Sequence, residues 1–185
     1  MDTPKYAKVN DELYEINTSY KVALKCNEIS LDDNIGYFEK ELAIIYLLFG
    51  EKGLNDIHNH AKLMDIAIKY LTCGQEKEND NETPNMDFKQ DFRLIKASFM
   101  SDYGIDISKQ DLDWYDFYTY LNGLTENCVL NRVRNLRTFD ESKISDAKER
   151  NEITKAKKRF ALHKQYNLTK EQEESINRFN EMLGI

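Results

Sequence analysis

Residues 86–124 read MDFKQDFRLIKASFMSDYGIDISKQDLDWYDFYTYLNGL, and nine of these thirty-nine residues are aromatic. Phe88, Phe92, Ile95 and Phe99 recur at helical spacing, and Leu112, Tyr115, Tyr118 and Leu121 do so again after Tyr103-Gly104. The stretch therefore predicts two amphipathic helices that pack by their aromatic faces. Gly104 supplies the stop, since a residue just past a helix end often takes a positive φ that glycine adopts without a Cβ clash. Asp106 or Ser108 then offers a side-chain oxygen to cap the second helix. Trp114, the only tryptophan, is read two ways: at the edge of the core, or exposed with Tyr118 as a contact patch.

Working outward, Tyr6-Ala7-Lys8-Val9 and Leu13-Tyr14-Glu15-Ile16 flank an Asn-Asp turn and predict a short β-hairpin, which must lie on helices to be stable. Asn17 or Thr18 is the expected cap of a helix carrying Val22, Leu24, Cys26 and Ile29. Ile35 to Phe49, apolar on most faces, is expected to be the central buried helix and to end at Gly50 and Gly53. A third helix opens at Asn55 or Asp56, with Ile57, Ala61, Met64, Ile68 and Leu71 on one stripe and Gly74 at its end. The expected class is mainly α, a helical domain with a small N-terminal hairpin.

The run QEKENDNETP, residues 75–84, holds no apolar residue and is read, with residue 85, as a mobile polar loop dividing 1–74 from 86–165. Beyond the aromatic pair, Val129, Val133 and Leu136 mark a helix over 125–137. Residues 145–165 read as a long basic helix in which Lys155, Lys157, Lys158, Arg159 and Lys164 form a patch opposite Ile153, Ala156, Phe160 and His163. Thr169-x-x-Gln172 is a capping box for a last amphipathic helix over 166–185. Ile176, Phe179 and Leu183 lie on its apolar stripe and are expected to dock on protein, in cis or in trans.

Seven glycines, two prolines and 32% charged residues favour helices over a turn-rich sandwich. Net charge is uneven: −11 over 1–127, +6 over 128–164 and −2 over 165–185. The local basic excess fits an acidic partner, the chain's own acidic half or, third, nucleic acid. Cys26, Cys73 and Cys128 are too far apart for a zinc knuckle and odd in number, which suits a reducing cytoplasm. The longest apolar run, residues 42–49, falls well short of the roughly 20 needed to span a bilayer, so no membrane role is expected.

Two constellations place chemistry-bearing residues together. Asp56-Ile57-His58-Asn59-His60 offers two imidazoles and a carboxylate, but positions two apart diverge on a helix, so no metal site is assigned. Asp111, Asp113 and Asp116, and Asp87 with Asp91, place carboxylates close together without a histidine, lysine or phosphate cradle beside them, and read as caps of helix first turns. No catalytic residue and no cofactor is expected.

The order of several short blocks carries a resemblance. Met86-Asp87-Phe88, Ala97-Ser98-Phe99-Met100, Tyr103-Gly104-Ile105-Asp106, Trp114-Tyr115-Asp116-Phe117 and Leu121-Asn122-Gly123-Leu124 together resemble the bacteriophage gene-product-fifteen family of tailed phages of Gram-positive bacteria. Ile16 to Tyr20 and the basic close Lys157 to Leu162 agree with it. The resemblance covers about residues 10 to 163; Tyr115 stands where the family has a second tryptophan, and the segment past His163 does not align. It implies a tail-morphogenesis protein of the host cytoplasm, similar in role to tail-assembly chaperones, that binds the tape measure protein. The tail tube protein, a second tail chaperone or another copy of itself are further implied partners. The alternatives are a structural tail or connector component retained in the virion, and a nucleic-acid-binding regulator.

Overall fold

A computed structural model describes residues 3–75 and 84–163. The chain opens with a hairpin of β1 (Tyr6–Val9) and β2 (Glu12–Glu15), antiparallel and in register Tyr6 to Glu15 through Val9 to Glu12. Helices α1 (Tyr20–Leu31), α2 (Tyr37–Asn55) and α3 (His60–Leu71) follow, the last entered through a 3-10 turn at Ile57–Asn59. Then come α4 (Phe92–Tyr103), α5 (Trp114–Asn122), α6 (Val129–Thr138) and α7 (Ala147–Phe160). The mainly helical class with its N-terminal hairpin is thus the observed one.

Pleat alternation seats the hairpin: Ala7, Val9, Tyr14 and Ile16 are buried against α2 and α3, while Tyr6 and Lys8 face out. Helices α1, α2 and α3 pack side by side, and α5 lies on α1. Two backbone bonds lock the starts of α1 and α5 together, Tyr20 N–H to Leu112 O at 3.0 Å and Trp114 N–H to Thr18 O at 2.7 Å. Helix α4 joins α5, α6 rests on α4, and α7 rests on α6. The aromatic stretch forms the centre of the core. Phe117 stacks on Tyr20 at 4.7 Å, on Phe99 at 5.2 Å and on Trp114 at 5.7 Å between ring centroids.

Several boundaries differ from the sequence reading. Helix α2 does not end at Gly50 but kinks there and runs on to Asn55; φ 66°, ψ −161° at Gly50 is a conformation open essentially to glycine alone. Gly104 does end α4, at φ 69°, its N–H bonded to the Met100 carbonyl. Asp106 caps no helix: it accepts the Ser108 N–H and hydroxyl in a local turn, and α5 starts only at Trp114. Ser19, not Asn17 or Thr18, stands at the N-cap of α1. Helix α6 starts after Cys128, whose Sγ accepts the Asn131 N–H. Helix α7 stops at Phe160, where Ala161 turns extended. Residues 76–83 of the polar loop expected over 75–85, Lys164 and the helix expected over 166–185 lie outside the described residues.

The stripe on α3 is the most consequential correction. Its core-facing residues are His60, Leu63, Ala67 and Tyr70. Of the expected stripe, Met64 and Leu71 are half-buried and pack against the edge of the core, while Ile57, Ala61 and Ile68 are exposed. A histidine and a tyrosine hold the buried face, so counting aliphatic residues selects the neighbouring one. Tyr70 packs its ring on Tyr115 at 5.5 Å, and His60 Nε2 meets the Leu54 carbonyl at 2.9 Å.

Candidate functional site: an apolar groove between α1, α3 and α5

Helix α3 packs on α2 and β1 through His60, Leu63, Ala67 and Tyr70, and it carries a second apolar stripe beside that face. Its second stripe, Met64, Ile68 and Leu71, forms one wall of a groove of about 1210 Å³. Ala23, Asn27 and Leu31 of α1 form the opposite wall, Ile44 of α2 closes one side, and Phe88, Trp114 and Tyr118 close the other. A smaller cavity of about 370 Å³ adjoins it across Asn27, Leu31 and Phe88, and adds Leu24 and Phe92 with Lys21, Lys25 and Lys89 at its rim.

The groove is built on rigid elements. Trp114 is only 3% exposed, and its indole N–H donates to the Leu71 carbonyl at 3.1 Å, which pins α5 to the end of α3. The indole is thus a core residue with one edge on the groove, while the Tyr118 hydroxyl donates to Gln75 Oε1 at 3.0 Å and sits at its mouth. On the α1 side Glu28 accepts from Lys25 at 2.9 Å and from Lys89 at 2.5 Å. Those two ammonium groups hold the Glu28 carboxyl down at about 2. Polar groups thus ring an apolar centre, the arrangement that orients an amphipathic guest and lets its apolar face drive binding.

The other candidates are occupied within the fold. Asp56 accepts from the Tyr14 hydroxyl and from Asn59 Nδ2, so the tyrosine is pushed up and the carboxyl down, each chiefly by their shared hydrogen bond. His58 is exposed, His60 meets Leu54, and the Asp56, His58 and His60 side chains share no centre. Asp113 accepts the Thr18 hydroxyl, Asp111 faces Lys21 at 3.6 Å, Asp87 accepts the Gln90 N–H at 2.6 Å and Asp91 pairs with Arg137. No group of three His, Cys, Asp or Glu residues arranged to hold a metal is found among the described residues. Likewise no described helix is long and apolar enough to cross a membrane.

Of the basic patch, Lys155, Lys158 and Arg159 are exposed on α7. Lys157 is turned inward, donating to the Phe139 carbonyl at 2.8 Å and pairing with Glu141 at 3.2 Å. Lys164, Ile176, Phe179 and Leu183 lie outside the described residues. Sequence reasoning missed the groove's α1 wall and Phe88's part in it. The available signal was the surplus of apolar positions on α3.

The chain is thus a hairpin-bearing helical module with an apolar groove walled by α1, α3 and α5. The chain belongs to the family described as bacteriophage Gp15 protein, whose model matches residues 3–162. No curated protein and no solved structure matches it.

Proposed function

We propose that this phage protein is a tail-assembly chaperone that acts in the host cytoplasm by binding amphipathic helices of the tape measure protein in the α1–α3–α5 groove, without catalysis. The observation that carries the reading is the Met64–Ile68–Leu71 stripe, an apolar helix face half-buried at Met64 and Leu71, exposed at Ile68, and walled by Leu31 and Trp114. A long helical client exposes repeating apolar stripes before the tube assembles around it. Covering one such stripe in a groove keeps the client from aggregating and leaves it releasable.

Affinity between the full-length chain and tape measure segments from the same phage tests this. Ile68→Glu places a charge in the groove at a residue already 51% exposed, so the fold tolerates it. Binding should weaken at least tenfold while the melting temperature stays within a few degrees. Unchanged binding by Ile68→Glu and by Met64→Glu would overturn the reading.

The alternative, a tail or connector component retained in the particle, draws on Tyr37 and Phe38, exposed side by side at the start of α2. Such a component copurifies with washed virions at fixed stoichiometry; a chaperone does not.

A further inference from the structure

The described chain ends at a telling place. The His163 N–H donates to Gln90 Oε1 at 2.9 Å, and Gln90 Nε2 donates to the Ala161 carbonyl at 2.8 Å. Gln90 immediately follows Lys89, which with Phe88 lines the smaller cavity, and Phe88 also lines the large groove. The remaining 22 residues are therefore tethered at the mouth of the apolar trough. Extended chain spans about 3.3 Å per residue, so the first dozen of them suffice to carry residue 176 along its length.

The sequence of that segment matches the trough in order. Glu171, Glu173 and Glu174 come first, opposite a rim where Lys21, Lys25 and Lys89 outnumber Glu28 and Asp87. Ile176, Phe179 and Leu183 come next, at the spacing that puts them on one face of a helix, opposite Leu31, Ile68 and Leu71. We infer that residues 169–185 dock in cis in the α1–α3–α5 groove and compete with the incoming client helix. The inference rests on the groove being the client site. A tether this short holds the segment at an effective concentration in the millimolar range, so even a weak intrinsic contact occupies the groove until a client displaces it. The device keeps the apolar stripe of α3 covered in the free protein and makes capture reversible.

Methyl and indole NMR of the full-length chain tests this, with Phe179→Asp plus Leu183→Asp as the disruptive variant and Arg178→Asp, off the stripe, as the control. The double variant should shift the Met64, Ile68 and Leu31 methyls and the Trp114 indole N–H, independently of protein concentration, while the control leaves them in place. It should also bind a tape measure segment about tenfold more tightly. Groove signals that do not move, or that move only in step with concentration, overturn docking in cis. Groove signals that move while client affinity stays unchanged leave cis docking standing and refute competition for a shared site. If Ile68→Glu also leaves client binding intact, the functional reading has failed independently.

Discussion

Arg137 grips Asp91 with both arms of its guanidinium, Nη1 to Oδ2 at 2.6 Å and Nη2 to Oδ1 at 2.7 Å, with the two side chains 7% and 2% exposed. The same guanidinium donates to the Asn85 carbonyl at 2.8 Å and to the Phe160 carbonyl at 2.7 Å. One side chain on α6 thereby ties together the approach to α4, the Asn85 segment and the end of α7. Planar bidentate donation of this kind is specific to arginine.

Breaking that pair leaves an uncompensated buried charge. Arg137→Met should cost about 3–5 kcal/mol, and Asp91→Leu combined with Arg137→Met should recover much of the loss. Urea denaturation of the two variants measures both. A single-variant loss below about 1 kcal/mol would mean that the pair is solvated in solution.

Phe117 is fully buried and stacked against three rings. Phe117→Ala removes a large side chain where Tyr20, Phe99 and Trp114 cannot all collapse inward, so the expected loss is about 3–5 kcal/mol. Tryptophan fluorescence should report looser packing around Trp114. A variant with native stability and an unchanged emission maximum contradicts the central place given to this ring.

The aromatic stretch was the legible part of the fold because each of its residues has one use, and its period names the face. Gly104 was legible too, since positive φ leaves few alternatives. Gly50 was not: a glycine that stops a helix and a glycine that kinks one look alike in sequence, and only the packing of Phe49 and Gly53 on the far side decides. Arg137 passed unnoticed for a related reason, because its partner is 46 positions away and a buried arginine carries no local mark. The groove was half visible. The Met64–Ile68–Leu71 stripe stands out in the periodicity, but the neighbouring face that is buried does not, because His60 and Tyr70 are not aliphatic.

The Lys25–Glu28–Lys89 tie links α1 to the segment before α4 and gives a pH signature. Glu28 titrates at about 2 in place of the ordinary 4.5, held down chiefly by its hydrogen bond to Lys89 and then by that to Lys25. A carboxyl whose folded pKa is lowered contributes its full share above the unfolded value and loses it as pH falls toward the folded one. The tie should therefore be intact at neutral pH and weaken between pH 4.5 and about 2. Carbon-detected NMR of the Glu28 carboxyl gives the midpoint directly. A midpoint above pH 4 would show that the two lysines do not hold it.

Burial pushes the Cys26 thiol from 9.0 up to about 12 and the Cys73 thiol to about 11. Three pKa units leave about a thousandth of the ordinary thiolate, which is the reactive form. Maleimide at pH 7.5 should label Cys26 only as the protein unfolds, in step with urea. Rapid labelling of Cys26 in the native chain would contradict its place in the core.

The most direct measurement of the central claim is photo-crosslinking in infected cells, with a benzophenone side chain placed at Ile68 in the groove and, separately, at Tyr37, at the start of α2 and not among the groove's lining residues. The account predicts that the Ile68 probe captures the tape measure protein during assembly and that the Tyr37 probe does not. Capture of the tape measure from Tyr37 alone, or from neither position, would contradict a groove-binding chaperone.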